Sequence, residues 1–364
     1  VSEKVGLLFL YTDDQKEDTM KTYFNLWRLL ALMVVVSLVV TACGGGGGGA
    51  SSSGGDSFKA ALVLDVAGLG DQSFNDSANR GLEQAKTELG IQGQVYETSQ
   101  PSDYEPSLAQ APAQGSNLTF AIGFLQTDAL ANAAPQNANA KYAIVDSVVE
   151  GNNVVSLLFK EEEGSFLVGL VAGYMTKSNK VGFIGGLEVP LIKKFEAGYR
   201  AGVMTANPAA EVLVTYAGSF GDPGKGKEIA LSQYADGADV IYHASGGTGL
   251  GLFQAAQEKG AGFWAIGVDS DQYNLAPKNT LTSMMKQVDV AVFETIKATK
   301  AGNFKAGTSI FGLKEGGVGL APTTDKNTPK EVMDKVDAFA KRIIASEFTV
   351  PTTDEELAKF TPPK

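Results

Sequence analysis

The chain has 364 residues, 44% hydrophobic and 20% charged, with a formal net charge of −11. That is a globular composition with length for two domains, since single cores stop growing at roughly 250 to 300 residues, and its acidity argues against a nucleic-acid partner, whose phosphates need a basic patch. One cysteine, Cys43, excludes an internal disulfide, and one histidine, His243, excludes a histidine-based metal cluster; neither a metal nor a cofactor is expected.

Residues 1–19 are polar and acidic and precede Met20; they are expected to be an upstream extension from a mis-called start. Residues 20–42 have the layout of an export signal: Lys21 and Arg28, then apolar Leu29 to Val40, then small residues. About twelve apolar residues fall short of the roughly 20 that span a bilayer. Val40, Thr41, Ala42 and Cys43 resemble the bacterial lipobox, which implies cleavage before Cys43 and lipid on its sulfur. Residues 43–57 read as a flexible Gly/Ser tether.

From Ser57 short apolar runs alternate with helical patterns, the signature of βα units and parallel sheets. The first half predicts strands at Ala60 to Asp65, Gln94 to Glu97, Leu118 to Ile122, Tyr142 to Val145 and Val154 to Leu158. The clearest helix is Ser73 to Leu89, with Ala78, Leu82, Ala85 and Leu89 on one face. Between Tyr104 and Phe120 a run rich in Pro, Gln and Ala predicts an irregular helix. A long helix, Glu162 to Lys177, leads into a second set of strands at Lys180 to Ile184, Glu211 to Tyr216, Asp239 to His243, Gly262 to Gly267 and Thr280 to Met285. Helices at Pro190 to Thr205, Lys225 to Tyr234, Gly249 to Lys259 and Val288 to Ala301 separate and follow them. Ala306 to Pro322 reads as extended, and Thr328 to Ser346 as a final helix. The fold class is therefore α/β, two Rossmann-like lobes joined by several crossovers: lobe one at 58–158 with return segments from 287–364, lobe two at 159–286.

In such sheets a ligand sits outside the carboxyl ends of the strands. The loops there offer Asp65, Asp71, Phe74, Asn75, Gly123, Gln126, Asp128 and Asp146 in the first lobe. The second offers Gly185, Gly186, Phe220, Asp222, Ser245 to Gly249, Asp269, Asp271, Gln272 and Lys286. So many carboxylates against one obvious cation disfavour a phosphate, and Ser245 to Gly249 matches no dinucleotide or P-loop fingerprint. Asp269 and Asp271 could grip vicinal hydroxyls or cap the next helix; Asp65 and Asp146 pose the same choice between reading N–H groups and capping a loop. Phe74 and Phe220, each just before a helix, could be core or could sandwich a flat ring. His243 lies in an apolar strand and reads as packed, so no nucleophile, base and orienter set is evident. Paired carboxylates leave only glycoside hydrolysis as an enzymatic alternative. Phe166, Phe195 and Tyr199, at helical spacing, read as core.

SFND (Ser73 to Asp76), Gly123-Phe124 with Asp128, YAIVD ending at Asp146, Gly185-Gly186 with FEAGYRAG (Phe195 to Gly202), FGDPGKGKE (Phe220 to Glu228), GADVIYHASGGTG (Gly237 to Gly249) and GVDSDQ (Gly267 to Gln272) together resemble the basic membrane protein (BMP) lipoproteins. These are substrate-binding proteins of ABC importers whose best-known members bind purine nucleosides. The resemblance implies a type I periplasmic-binding-protein fold, an ABC permease partner, and a monomer held to the bacterial cell envelope through Cys43. It implies a nucleoside ligand, adenosine, guanosine or inosine. Phe74 and Phe220 would stack on the base, Asp65 with Asp146 or Asp128 would read its polar edge beside Asn75, and Gly247, Asp269 and Lys286 would hold the ribose. FGDP departs from the family, with Gly221 in place of a more common Asn. A sugar or signalling furanose, or a secreted nucleosidase, are the rival readings; an export signal stands where a LacI-like regulator would carry a helix-turn-helix.

Overall fold

A computed structural model describes residues 58–363. The signal segment, Cys43 and the Gly/Ser tether lie outside these described residues.

Two six-stranded sheets organise the chain. The first holds β1 (Lys59–Val63), β2 (Gln92–Tyr96), β3 (Leu118–Ile122), β4 (Lys141–Val145), β5 (Val154–Phe159) and β11 (Gly307–Phe311) in the order β11-β5-β4-β3-β1-β2, with every neighbouring pair parallel. The second holds β6 (Lys180–Gly185), β7 (Glu211–Tyr216), β8 (Val240–Ala244), β9 (Trp264–Asp269), β10 (Thr280–Lys286) and β12 (Val318–Leu320) in the order β12-β10-β9-β8-β6-β7. There β12 alone runs antiparallel, against β10. Central strands such as β3 and β8 are buried along their whole length. Helices cover both faces of each sheet, so these strands read as unbroken apolar runs rather than as alternation.

The helices are α1 (Phe74–Leu89), α2 (Tyr104–Ala113), α3 (Thr127–Gln136), α4 (Glu161–Met175), α5 (Pro190–Ala206), α6 (Pro223–Ala235), α7 (Leu250–Lys259), α8 (Val288–Lys300), α9 (Lys330–Ile344) and α10 (Asp354–Lys359). The Pro/Gln/Ala-rich run forms a 3-10 turn, Pro101–Asp103, followed by the regular α2, whose Pro112 sits next to its last residue. Pro112 has no N–H to donate to the Leu108 carbonyl one turn earlier, and that carbonyl accepts from the Tyr142 hydroxyl instead. The most extensive helix contact is α4 on α5. A Cβ on Gly169 would lie 2.2 Å from the Tyr199 carbonyl oxygen, and one on Gly202 would lie 2.1 Å from that of Phe166. Only glycine lets these two backbones meet.

Strand β9 starts two residues later than its predicted start at Gly262. Gly260 and Gly262 both take positive φ, 82° and 91°, and shape the turn before it. The shift makes Asp269 the last residue of β9 itself.

The chain changes sheets between β5 and α4, between β10 and α8, and between β11 and β12. Of residues 287–364, only some segments return to the first lobe. Helix α8 packs on α1 and β11 pairs with β5, both in the first lobe. The remainder goes to the second lobe: Val318 to Leu320 pair with Lys286 to Met284, α9 packs on α4 and α10 on α5. The physical reason is apolar cover for α4. Phe339, Phe348 and Phe360 each bring a ring within 6.4 Å of Phe166 on that helix.

Candidate functional site

Strand ends of both sheets enclose one cavity. From the first lobe come Asp65, after β1, then Phe74 and Asn75 at the start of α1, Gly123 and Phe124 after β3, and Asp146 after β4. From the second come Ile192 and Phe195 on α5, Phe220 before α6, Ser245 and Gly246 after β8, Asp269 and Lys286. Seven of the nine expected ligand residues line this space: Asp65, Phe74, Asn75, Asp146, Phe220, Asp269 and Lys286.

Two do not. Asp128 sits in the first turn of α3 and is exposed, so Asp146 is the strand-end carboxylate at the cavity. Gly247 is buried one residue behind the wall, where its neighbour Gly246 forms the lining. Conversely Phe195, expected to be core, faces the cavity together with Ile192 and Leu191. Their helical spacing is the same whether the apolar face meets a core or a cleft, so periodicity could not separate the two.

Phe220 is seated by glycine. A Cβ on Gly186 would lie 2.2 Å from Phe220 Cε1, so the ring occupies the space that any side chain there would take. Its edge-to-face partner across the cleft is Phe124, with ring centroids 6.1 Å apart at 79°. Phe74 and Phe220 are both half-buried and both line the cavity.

Four carboxylates surround this aromatic set, and burial raises the pKa of each above the ordinary aspartate range. Asp71 is used internally: its oxygens accept the N–H groups of Ser73, Asn75 and Asp76 and so cap α1. Asp65 accepts at Oδ1 from the Val66 N–H and from the Tyr104 phenol. Asp269 Oδ2 accepts from Ser73 Oγ at 2.5 Å, and its pKa is pushed up to about 6, chiefly by burial. Asp146 and Asp269 both adopt left-handed backbone, with φ of 69° and 63°. Such strain costs on the order of 1 kcal/mol per residue and collects at functional sites.

Lys286 is the cation among the lining residues, and it is already engaged. Its Nζ donates to Asp146 Oδ2 at 2.5 Å and lies 3.2 Å from Glu161 Oε1, with 1% of its side chain exposed. The rings of Phe74, Phe159 and Phe195 stand within 5.6 Å of it. Burial works to lower its pKa, but Asp146, Glu161 and Asp269 outweigh burial and hold the ammonium above the ordinary lysine range. Asp146 Oδ1, by contrast, is buried with no hydrogen-bond partner.

His243 stays out of this chemistry. Gln272 Oε1 accepts from the Val268 N–H and lies 2.9 Å from His243 Nε2, which makes Nε2 the protonated nitrogen. Nδ1 is then the acceptor facing Ser245 Oγ at 3.3 Å. A serine, a histidine and a third group in line suggest a nucleophile and its base. Here the third group is a neutral amide whose hydrogen bond favours the imidazolium less than burial opposes it, and the histidine pKa is lowered to about 4. The trio is a packing network.

The lobes also touch directly. Ser73 Oγ donates to Val268 O as well as to Asp269, Ser270 Oγ donates to Ser73 O, and Gln272 Nε2 donates to Gln72 O. Arg80 Nη2 reaches Ser270 Oγ at 3.0 Å. The loop before α1 is thus fastened to the end of β9.

Residues 58–354 match the family described as "ABC transporter substrate-binding protein PnrA-like". This chain belongs to that family. It is an ABC transporter substrate-binding protein of the PnrA/BmpA group, with the fold of type I periplasmic binding proteins. The "ABC transporter nucleoside-binding protein BmpA" of Lactococcus lactis is 38% identical over 315 residues, covering 81% of this chain and 89% of that one. "Basic membrane protein A" of Borreliella afzelii is 38% identical, covering 83% and 94%. Among solved structures, the ABC transporter solute-binding protein of Aeropyrum pernix superposes with a TM-score of 0.76 at 30% identity, covering 83% of this chain and 96% of that one. No helix among the described residues is long and apolar enough to cross a membrane.

Proposed function

We propose that this substrate-binding protein works outside the cytoplasm, held to the membrane by lipid on Cys43. In this reading it captures a purine nucleoside between its lobes and delivers it to an ABC permease. The observation that carries the ligand class is the composition of the cavity wall. Four rings, Phe74, Phe124, Phe195 and Phe220, share that wall with the acceptors Asp65, Asp146 and Asp269, and the lysine is neutralised by its own carboxylates. An anionic ligand would meet surplus negative charge there. A neutral molecule with a flat face and several N–H and O–H donors meets its complement. Base stacking on an aromatic ring contributes roughly 1 to 3 kcal/mol, and vicinal hydroxyls suit a carboxylate such as Asp269.

No bond is made or broken in this account. Closure favours the ligand because only the closed arrangement puts residues of both lobes on it, so binding shifts an open-to-closed equilibrium. The nucleoside-binding relative in Lactococcus lactis supports the same ligand class. Calorimetry against inosine, guanosine, adenosine, cytidine and ribose tests it. Heat with purine nucleosides is expected; tight ribose binding without any nucleoside binding would replace the reading with a sugar carrier. Mass spectrometry of the native protein tests the anchor, which requires a lipid-modified peptide beginning at Cys43.

A further inference from the structure

Tyr104 is fully buried, with 1% of its surface exposed, and is not part of the cavity wall. It opens α2, directly after a 3-10 turn whose capping box is closed by Gln100 and Asp103. A buried phenol needs a partner for its hydroxyl. The partner here is a cavity residue: Tyr104 donates to Asp65 Oδ1 at 3.0 Å, and the Val66 N–H donates to the same oxygen at 2.5 Å. Both donors lie on Oδ1, which leaves Oδ2 as the oxygen turned toward the lining residue Gly123. A Cβ at Gly123 would come within 3.1 Å of Asp65 Oδ2 and 3.4 Å of Phe74 Cε1. The free oxygen therefore stands beside the ring proposed to stack on the base.

We propose that Tyr104 is a positioning residue for ligand recognition: by holding Asp65 Oδ1 it presents Oδ2 as an acceptor to the cavity. It thereby favours a ring edge that carries an N–H, as in a 6-oxopurine, over one that carries a bare nitrogen lone pair, as in adenosine. The purine preference rests on the nucleoside reading above; the positioning of Asp65 does not. Electrostatics act in the same sense. Burial raises the Asp65 pKa, the hydrogen bonds from Tyr104 and Val66 oppose that rise, and the neighbouring carboxylate of Asp71 adds to it. Burial and Asp65 together push the Tyr104 phenol well above its ordinary range, so it remains a donor at any working pH. Without the phenol, Asp65 would take up its proton at higher pH and become a donor itself.

The test uses the mature chain and two readouts. In the ligand-free protein, the carbon-13 titration of the Asp65 carboxyl is expected to move to higher pH in Tyr104→Phe. With 3-fluorotyrosine at position 104, a stronger donor, it is expected to move to lower pH. Calorimetry of Tyr104→Phe at neutral pH is expected to show inosine affinity reduced about tenfold or more, the scale of one hydrogen bond to a charged group. The ratio of inosine to adenosine affinity is expected to fall with it. A folded Tyr104→Phe protein with an unmoved Asp65 titration and an unchanged ratio would overturn the proposal. Should Tyr104→Phe fail to fold, an unmoved titration in the fluorotyrosine protein overturns it equally. A wild-type protein that binds no nucleoside, while its Asp65 titration still follows position 104, removes the nucleoside reading and leaves the positioning role standing.

Discussion

In the first lobe Asn153, one residue before β5, donates its amide to the carbonyls of Ala134, Asn137 and Ala140. In the second, Asn279, one residue before β10, donates to those of Gly260 and Phe263. Asn117 and Asp239, each at the entrance of the third strand of its lobe, accept main-chain N–H groups at or just before the first. Asp146, one residue past β4, and Asp269, the last residue of β9, stand at the end of the fourth strand of each lobe, both in left-handed backbone. One scaffold has been used twice, with the same devices at the same places. The difference lies in what the two terminal aspartates meet. Asp146 receives a lysine from the second lobe, and Asp269 receives a serine hydroxyl from the first. The ion pair stands beside the crossovers at β5 to α4 and β10 to α8; in the proposed opening and closing it would fasten the hinge, and the hydroxyl contact would be broken and remade.

If that contrast is right, the two contacts should fail differently. Lys286→Met removes the buried cation and leaves Asp146 and Glu161 facing each other without it. Breaking one partner out of a buried pair costs roughly 3 to 5 kcal/mol, so a large fall in the urea midpoint is expected. That loss should lessen in acid as the carboxylates protonate. A Lys286→Met protein as stable as wild type would mean that the pair fastens nothing.

Phe74→Ala and Phe220→Ala should come next in size, and they act on binding. Each should weaken purine nucleosides by roughly 1 to 3 kcal/mol, read by calorimetry. Because both rings are half-buried at the cleft, the melting temperature of the free protein should change little by comparison. Unfolding of both variants would return these residues to the core.

Ser73→Ala should cost about 1.5 kcal/mol of closed state, the lower end for a hydrogen bond to a charged group, and widen the protein in X-ray scattering without lowering its urea midpoint much. The same aspartate carries a pH signature. Its folded pKa, about 6, lies above the ordinary value of 3.8. Above pH 6 the buried charge of Asp269 is therefore a penalty on folding, and that penalty is relieved as pH falls from about 6 toward 4. A ligand that donates to the ionised carboxylate should show the opposite trend, with affinity falling as pH drops through about 6. A flat affinity profile from pH 5 to 8 would remove Asp269 from the ligand. The smallest effect is expected at Asp128→Asn, within about 0.5 kcal/mol for both binding and stability, because this carboxylate is exposed outside the cavity.

Much of this was legible in the sequence because parallel strands buried on both faces read as apolar runs, and their ends show as a polar or glycine residue. Asp65, Asp269 and the loop from Asp71 to Asn75 were placed that way. What could not be read depends on geometry beyond a single element. Asp128 and Asp146 are the same chemistry in neighbouring loops, and only the fold shows that one ends up on an exposed helical turn and the other under Lys286. Ile192 and Phe195 share a helix face with core residues and differ from them only in what lies opposite. Strand β12 has three residues, too few to carry a pattern, so its antiparallel pairing with β10 was hidden. Tyr104 sits in a run whose composition pointed to irregularity, and nothing local marks its hydroxyl as aimed at Asp65.

In the proposed function, two halves of one repeated scaffold close on a neutral, flat, hydrogen-bond-donating ligand. That reading is tested by purifying the native protein without denaturation from the cells that make it, releasing what it holds by unfolding, and identifying the small molecule by chromatography and mass. A purine nucleoside in near-stoichiometric amount is the expected result. A free sugar, with no purine present, would contradict the account.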